Sequence, residues 1–395
     1  MWKAIVDNDK KTSVMKKVCE IANILSASSS NLDSLSLLTG KAGVAVFLYQ
    51  YWLVSKQYQY YEKALELLSE CITSCCQKKI SYSFCNGVAG IGWCLKYFEE
   101  NKVIDGNVQE IIDMLFPNMY IQMVDFMKAG KYDFLHEALG IALCCYKNKA
   151  DRRFIDDFLN EMIRVSLRGD NGIFWNSTVY ENGVLHKVIN LSMSHGLSGI
   201  ICCLCKIGKS ELARYLVGES VKFLVDQRQD NTIYSSCFPS IISEKVNYRN
   251  GRLSWCYGDL GVVVALLQAS CVLNNTDYRN MALNVIKICS HRRDTKKEFV
   301  LDAGICHGSA GIAHIFNRVY QKTGDPELKD AALYWLDDCL QKASFIDGLA
   351  GYKVWRRDGW LTKSGLLEGI AGIGLVLLAA ISSIEPNWDE CLLLS

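Results

Sequence analysis

Two short stretches of the chain combine cysteine, histidine and glycine in an order that suits metal binding. The first runs Ser-Trp-Cys-Tyr-Gly-Asp-Leu-Gly over residues 254–261, and the second runs Ile-Cys-His-Gly-Ser-Ala-Gly over residues 305–311. Each places a cysteine two residues before a Gly-x-x-Gly, and the second adds a histidine directly after its cysteine. Cys256, Cys306 and His307 are therefore a candidate metal set, since three soft ligands with no obvious fourth are typical of a catalytic zinc with one open position.

The ligand types of this set indicate which reaction the metal would support. Two thiolates and a neutral imidazole cancel the charge of a zinc dication, which makes the site a weaker Lewis acid than a three-histidine zinc and a poorer source of hydroxide. A substrate thiol bound as the fourth ligand would lose its proton and keep a nucleophilic sulfur. The set therefore favours activation of a substrate thiol, with activation of water as the second choice.

The elements that must position these residues are repeats of about 55 residues. Each begins with two glycines three residues apart, which open a run of about ten apolar residues. The pairs are Gly40 and Gly43, Gly87 and Gly90, Gly196 and Gly199, Gly258 and Gly261, Gly308 and Gly311, Gly369 and Gly372, with a degenerate copy at Glu137 and Gly140.

Between the glycine runs lie segments with one apolar and one charged face, which is the pattern of helices that meet solvent on one side. Examples are residues 60–76, 153–167, 210–225, 277–289 and 326–342.

Seven buried helices that alternate with seven amphipathic ones predict an all-α fold of the α/α-toroid type, a double ring with inner and outer helices. An open solenoid would serve the same pattern, but the last glycine run is as apolar as the others, which favours closure.

We expect one domain over residues 1–395, with a short β-containing insertion at 169–190, where turn dipeptides mix with β-forming residues. Residues 230–252 are expected to form a long irregular loop, and the glycines are expected to let the inner helix starts crowd together.

Alignment of the repeats on their first glycine gathers scattered polar residues into equivalent positions. In a ring these positions face one mouth of a central cavity, where helix N-termini with unpaired N–H groups favour thiolates. One of the cysteines, Cys85, has no chemical neighbour in sequence and is interpreted as a core residue. The residues one and two before the first glycine include His136, His195, His307, Cys85, Cys256 and Cys306.

Composition limits the partners and the compartment. Lysine plus arginine (43) balance aspartate plus glutamate (42) without any block of like charge, so a nucleic-acid or anionic membrane surface is not indicated. The first residues lack the apolar core of a secretory signal, and the longest uncharged runs are short for a bilayer span. We therefore expect a cytoplasmic protein with no transmembrane segment. Most of its 18 cysteines are expected to be reduced core residues.

These stretches resemble the lanthionine synthetase C-like family of cyclases. The resemblance rests on residues 255–259, 306–308 and 194–196, on the glycine runs, and on the ending from Pro386, and it covers essentially the whole chain. It implies a double helical ring with zinc at one end of the central cavity, held by Cys256, Cys306 and His307. It also implies an activity: addition of cysteine thiols of a dehydrated precursor peptide to dehydroalanine or dehydrobutyrine, which closes (methyl)lanthionine thioether rings.

The resemblance assigns four further residues. His195 matches the acid/base histidine, Asp133 the aspartate that would fix its tautomer or hold a proton, Arg252 an arginine suited to enolate charge, and Tyr257 the tyrosine after the first zinc cysteine. Each also has a purely structural interpretation: Asp133 as a cap, Arg252 as a surface ion pair, Tyr257 as a packing residue.

One repeat departs from the family pattern. Glu137 stands where a glycine is expected, which puts the geometry around Asp133 in question, and the adjacent His136 is a competitor for the acid/base role.

The implied partners are the dehydrated precursor peptide, a separate dehydratase, and an export transporter complex that would hold the enzyme at the inner face of the membrane.

Two other functions fit part of the pattern. A zinc-dependent prenyltransferase also activates a thiol on zinc within a helical ring, although its metal set includes an aspartate. A non-catalytic scaffold could keep the zinc and bind a thiol such as glutathione.

Overall fold

The structure is a computed structural model that describes residues 2–77, 80–104, 108–149, 152–181, 183–208, 210–243 and 249–395. The chain groups into two compact units. The first comprises Met1–Ser81, Cys85–Phe98 and Ser290–Ser395, and the second comprises Tyr82–Phe84 and Glu99–Cys289. The expectation of a single domain over residues 1–395 stays a prediction.

Helices account for most of the described residues. In chain order the α-helices are α1 (Asn8–Ser28), α2 (Lys41–Ser55), α3 (Tyr58–Gln77), α4 (Val88–Glu100), α5 (Val108–Lys128), α6 (Ala138–Lys147), α7 (Arg152–Val165), α8 (Leu197–Ile207), α9 (Glu211–Asp226), α10 (Asp259–Leu273), α11 (Thr276–Ser290), α12 (Ser309–Thr323), α13 (Pro326–Gln341) and α14 (Ile370–Ile381).

The helices alternate between two kinds, as the repeats predict. The even-numbered helices are the glycine-led runs and are buried on nearly all sides; every residue of α14, for example, is buried. The odd-numbered helices bury one face only, as α13 does with Leu328, Trp335 and Cys339. In the first unit α2 packs on α3 and α12 on α13; in the second, α8 packs on α9.

Neighbouring glycine-led helices pack against each other within each unit. In the second unit α8 lies between α6 and α10. In the first unit α14 contacts both α12 and α2. The last repeat therefore packs against the first, which is the contact that ring closure requires and that an open solenoid would leave unmade.

The second glycine of each pair is required by the turn that precedes its helix. A Cβ on Gly43 would lie 2.1 Å from the carbonyl oxygen of Leu37, and one on Gly311 would lie 1.9 Å from that of Ile305. The expected crowding between helix starts is also present but is looser, since the same Cβ on Gly43 would lie 3.0 Å from Cβ of Leu366. The carbonyl six residues earlier blocks a side chain equally at Gly140, Gly199, Gly261 and Gly372.

The first N–H groups of these helices are paired, contrary to expectation. In α12 the N–H groups of Ser309 and Ala310 donate to the carbonyl oxygens of Asp302 and Ala303, both at 3.2 Å. Equivalent bonds start α2, α4, α8 and α14. A helix start normally lacks such acceptors, and here the six residues before the first glycine position, which we call the repeat turn, supply them.

The strands are short and form three small sheets. They are β1 (Leu167–Arg168), β2 (Ile173–Phe174), β3 (Asn176–Glu181), β4 (Val184–Asn190), β5 (Ile241–Ile242), β6 (Val354–Arg356) and β7 (Gly359–Leu361).

The predicted β insertion at 169–190 is confirmed. β1 pairs with β2, and β3 and β4 form an antiparallel hairpin to which β5 adds a third strand. β5 lies in the stretch 230–252, which is otherwise irregular where it is described; residues 244–248 of that stretch lie outside the described part. The hairpin of β6 and β7 was not predicted.

The chain ends in a buried ionic cluster within the first unit. Arg318 on α12 binds Asp389 through Nε at 2.6 Å and Nη2 at 2.9 Å, and His314 Nε2 lies 2.7 Å from the same carboxylate. Trp388 stacks on His314, and the guanidinium of Arg318 lies 5.0 Å from the centre of the Trp2 ring. The cluster fastens both chain ends to α12.

The described cysteines and helices bear on two expectations drawn from composition, reduced core cysteines and no transmembrane segment. Seventeen cysteines are described and all are free thiols, most of them buried. Among the described helices, none has the length and apolarity that a bilayer crossing requires.

Candidate active site and metal centre

Asp133 and His195 are in contact in the second unit, although 62 residues separate them. Asp133 lies in the repeat turn before α6, and His195 lies directly before Gly196, the N-cap of α8. One carboxylate oxygen of Asp133 meets Nδ1 of the imidazole. The other accepts the backbone N–H of His136 at 2.8 Å.

The bond from the N–H of His136 to Asp133 shows what this turn position requires of a side chain: an oxygen that accepts a backbone N–H. In the next two repeats a serine stands at the same place: Ser192 accepts the N–H of His195 at 3.1 Å, and Ser254 accepts that of Tyr257 at 3.2 Å. A single oxygen therefore suffices for the turn. Asp133 supplies that oxygen and has a second one for His195.

Glu137 takes the place of the first glycine in the turn before α6. Its φ and ψ of −129° and −147° are close to the −143° and −158° of Gly196. Its Oε2 accepts the N–H of Asp133 at 3.1 Å. The departure from the glycine pattern thus helps to hold Asp133.

Asp133 and His195 line a pocket of about 270 Å³ that lies wholly within the second unit. Tyr257 also lines it, and its hydroxyl is held by Nδ2 of Asn190 at 3.3 Å. The exposed His136 stacks on His195 with ring centres 5.8 Å apart. The remaining lining includes Gly130, Lys131, Tyr132, Glu137, Asn176, Ser177, Thr178 and Ile200.

The electrostatics of the pocket favour a protonated His195. Burial of the ring opposes the charge, but the hydrogen bond and the negative charge of Asp133 outweigh it, and the pKa of His195 is raised. Burial raises the pKa of Tyr257 as well, so its phenol keeps its proton. The pocket therefore favours the imidazolium form of His195 and the neutral hydroxyl of Tyr257.

Arg252 is not among the described residues that line this pocket. It lies in the loop before α10, where its backbone forms a bridge with Gly258. Its side chain is half-buried.

Cys256 lies in the same loop of the second unit. Cys256 is buried, and its Sγ lies 3.7 Å from the hydroxyl of Ser254. Its carbonyl oxygen accepts the N–H of Met193 at 2.9 Å, which fastens this turn to the one that carries His195.

Cys306 and His307 lie in the repeat turn before α12, in the first unit. The N–H groups of Ile305 and Cys306 both donate to the carbonyl oxygen of Leu367 at 3.0 Å. Nε2 of His307 lies 3.3 Å from Oδ2 of Asp302, a buried carboxylate.

Asp302 was missed by sequence reasoning, although a signal existed. It stands six residues before the first glycine, the position that Arg252 occupies in its own repeat and Asn190 in the one before. Both Asp302 and Asn190 contact a candidate site residue. The same alignment that selected the histidines would have selected them.

The donor groups suit zinc. Thiols and imidazole are the ligands that zinc prefers, and a carboxylate against the second nitrogen of a metal-binding histidine is a common support. In the first unit Cys306 is adjacent to a histidine whose Nε2 already faces Asp302. Nδ1 of His307 is the nitrogen that a metal would take.

Comparison with known proteins shows a family match over nearly the whole chain. Residues 16–393 match the family model described as lanthionine synthetase C-like protein. The nisin biosynthesis protein NisC of Lactococcus lactis subsp. lactis is 23% identical over 427 residues, which cover 97% of this chain and 95% of that protein. The glutathione S-transferase LANCL1 of Danio rerio is 22% identical over 364 residues, 86% of each chain.

A solved structure is similar over the same extent. Nisin cyclase matches with a TM-score of 0.74 at 17% identity, covering 98% of both chains. This likeness concerns the fold, and it confirms the predicted class, a mostly helical chain of the α/α-toroid type.

Proposed function

The chain belongs to the lanthionine synthetase C-like family, and on that premise we propose that it is a zinc-dependent lanthipeptide cyclase. Its substrate would be a precursor peptide that already contains dehydroalanine or dehydrobutyrine. The reaction adds the S–H of a peptide cysteine across the double bond: a C–S bond forms at the β-carbon and the α-carbon gains a proton. No oxidant or reductant is needed.

The contact between Asp133 and His195 is the observation that carries this proposal. It supports an acid/base role for the two residues, because both side chains line a pocket of the size of a few side chains, which Tyr257 lines as well. Conjugate addition of a thiol needs this kind of pair, because one proton leaves sulfur and another must reach carbon.

We propose that Cys256, Cys306 and His307 hold one zinc ion. The metal would supply a site at which a peptide thiol loses its proton and stays nucleophilic. The adjacent positions of Cys306 and His307 support the assignment, and so does their resemblance to the zinc motif of the family.

His195 would donate the proton that the α-carbon gains. Its Nδ1 is held by Asp133, which leaves Nε2 for the reaction, and its raised pKa favours the protonated form of the ring. Asp133 stabilises the imidazolium. Tyr257 would offer a hydrogen bond to the carbonyl oxygen of the dehydrated residue, where negative charge develops. Arg252 would balance charge on the peptide beside the pocket.

The experiment uses the purified protein, zinc and a dehydrated peptide that contains several cysteines. Free thiols are counted by alkylation and mass spectrometry over time. The expected result is a stepwise loss of alkylation with no change of peptide mass, since cyclisation is an isomerisation. A zinc-loaded protein that consumed no thiol would contradict the proposal.

The match to a protein named glutathione S-transferase supports a second candidate, addition of glutathione to an electrophile. The same mass spectra separate the two, because a glutathione adduct adds the mass of the tripeptide whereas ring closure adds none.

We further propose that a separate dehydratase supplies the peptide in the cytoplasm and that an export transporter receives the product.

A further inference from the structure

The buried carboxylate of Asp302 has three partners in the first unit. Its Oδ1 accepts the N–H of Gly304 at 3.0 Å. Its Oδ2 accepts the N–H of Trp355, on β6, at 3.2 Å and lies 3.3 Å from Nε2 of His307. A buried charge of this kind is tolerated only where its lone pairs are used.

The repeat turn does not require this carboxylate. What α12 takes from Asp302 is the backbone oxygen, which accepts the N–H of Ser309 at 3.2 Å. In other repeats Ser34 and Lys363 give the same backbone bond, to the first residues of α2 and α14. The bond from Gly304 tightens the turn through Oδ1, and the bond from Trp355 ties Oδ2 to β6. The contact of Oδ2 with His307 is additional to both.

Chemistry decides which nitrogen of His307 carries hydrogen. An ionised carboxylate only accepts hydrogen bonds, so Nε2 facing Oδ2 must be N–H, and Nδ1 keeps its lone pair. A metal binds the nitrogen that has the lone pair. A carboxylate in this position raises the basicity of a ligating imidazole and fixes the orientation of its ring.

The link to β6 makes the carboxylate itself rigid. Trp355 belongs to the hairpin of β6 and β7, and the next residue, Arg356, pairs with Glu368 directly after Leu367. Leu367 is the residue whose carbonyl holds Ile305 and Cys306. The hairpin thus buttresses the Cys306–His307 turn from two sides.

We propose that Asp302 is a positioning residue of the metal centre: it holds His307 as the Nε2–H tautomer and leaves Nδ1 to bind zinc. This inference rests on the proposed zinc site. It predicts that zinc affinity and the histidine tautomer, besides turnover, depend on Oδ2.

The decisive variant is Asp302→Asn. Its amide oxygen still accepts the N–H of Gly304, which keeps the bond within the turn. Its NH₂ group takes the place of Oδ2, so the bond from the N–H of Trp355 is lost, and a donor faces His307 and favours the opposite tautomer. Competition with a chromogenic chelator is expected to show zinc dissociation constants raised about 10–100-fold. Asp347→Asn is the matched control, since that carboxylate is exposed and pairs with Lys353; its zinc affinity should equal that of the parent protein.

Histidine ¹⁵N spectra give a readout that a merely structural role would not move. The chain has six histidines, so His307 can be assigned by substitution. In the zinc-loaded parent we expect metal on Nδ1 and hydrogen on Nε2. Metal on Nε2, or an Asp302→Asn protein that folds and keeps parental zinc affinity, would overturn the inference while leaving the zinc site intact. A parent protein with no zinc affinity would instead remove the proposed function, and this inference with it.

Discussion

At the scale of single residues, Asp133 performs two tasks that can be separated. One oxygen holds the turn, as serine does in the next repeats, and the other meets His195. Asp133→Ser should therefore keep the turn and lose the acid/base pair.

We expect this variant to melt near the parental temperature at alkaline pH, where the contact with His195 contributes least to stability. It should cyclise peptide about 10²-fold more slowly or worse, the usual contribution of general acid–base catalysis. Asp157→Ser, the same change at an exposed position of α7, serves as the control. Parental rates in Asp133→Ser would show that the carboxylate has only a structural role.

The raised pKa of His195 predicts a pH dependence of stability. Contact with Asp133 stabilises the imidazolium, so its contribution is fully present below the unfolded-state pKa of about 6.5 and is lost as pH rises through the higher folded-state pKa. The melting temperatures of the parent and His195→Gln should differ most at the acid end of a series that stays above the carboxylate range. A difference that widened towards alkaline pH would refute this sign.

The sequence predicts much of the pocket at this scale and misses its supports. His195, Asp133 and Tyr257 all line one cavity. Alignment of the repeats selected His195, and the family resemblance added Asp133 and Tyr257. Asn190 and Asp302 escaped notice because neither belongs to a motif. Both stand six residues before the first glycine of a repeat, but their contacts, Asn190 with Tyr257 and Asp302 with His307, are seen only in the folded chain.

At the scale of elements, the turn before each buried helix makes its second glycine irreplaceable. A Cβ on Gly311 would overlap the carbonyl oxygen of Ile305, and backbone cannot move aside cheaply. We expect Gly311→Ala to destabilise the protein by about 3 kcal/mol or more, in the upper part of the range for single substitutions.

Gly218→Ala is the matched control. Gly218 lies inside α9, where an added Cβ meets only Cδ2 of Leu273 at 3.9 Å. Because glycine weakens a helix interior, this change should be neutral or add about 0.5–1 kcal/mol. Urea unfolding of both variants is the measurement, and equal effects would show that the close approach is unimportant.

The periodicity of apolar residues predicted the long helices better than the short strands. The amphipathic segments at 326–342 and 277–289 became α13 and α11 almost residue for residue. The hairpin of β6 and β7 was missed, although Gly359 with φ of +119° and the preceding Asp358 form a typical turn dipeptide. Strands of three residues carry too little alternation for a pattern to reveal.

At the scale of the whole molecule, the chain ends depend on one buried carboxylate. Asp389 neutralises Arg318, which is 6% exposed, and both lie in the first unit. Removal of the buried partner leaves Arg318 with only the exposed carboxylate of Glu385, so Asp389→Asn should cost about 3–5 kcal/mol.

Glu385→Gln tests the same arginine from its solvent side. The Glu385 side chain is 66% exposed, and its bond to Arg318 should contribute no more than about 1 kcal/mol. Denaturant midpoints of the two variants are expected to differ clearly, and similar midpoints would show that the buried pair is not what fastens the chain ends.

The self-contained bonding of each repeat turn has a consequence for how such chains diverge. The main chain of the turn provides acceptors that the following helix start needs, and one side-chain oxygen, from Asp133, Ser192 or Ser254, completes the turn. Side chains at other turn positions, such as His195 and Tyr257, can therefore be exchanged with little effect on the helix that follows. Chemistry can thus change at these turn positions while the ring of helices that carries them is kept.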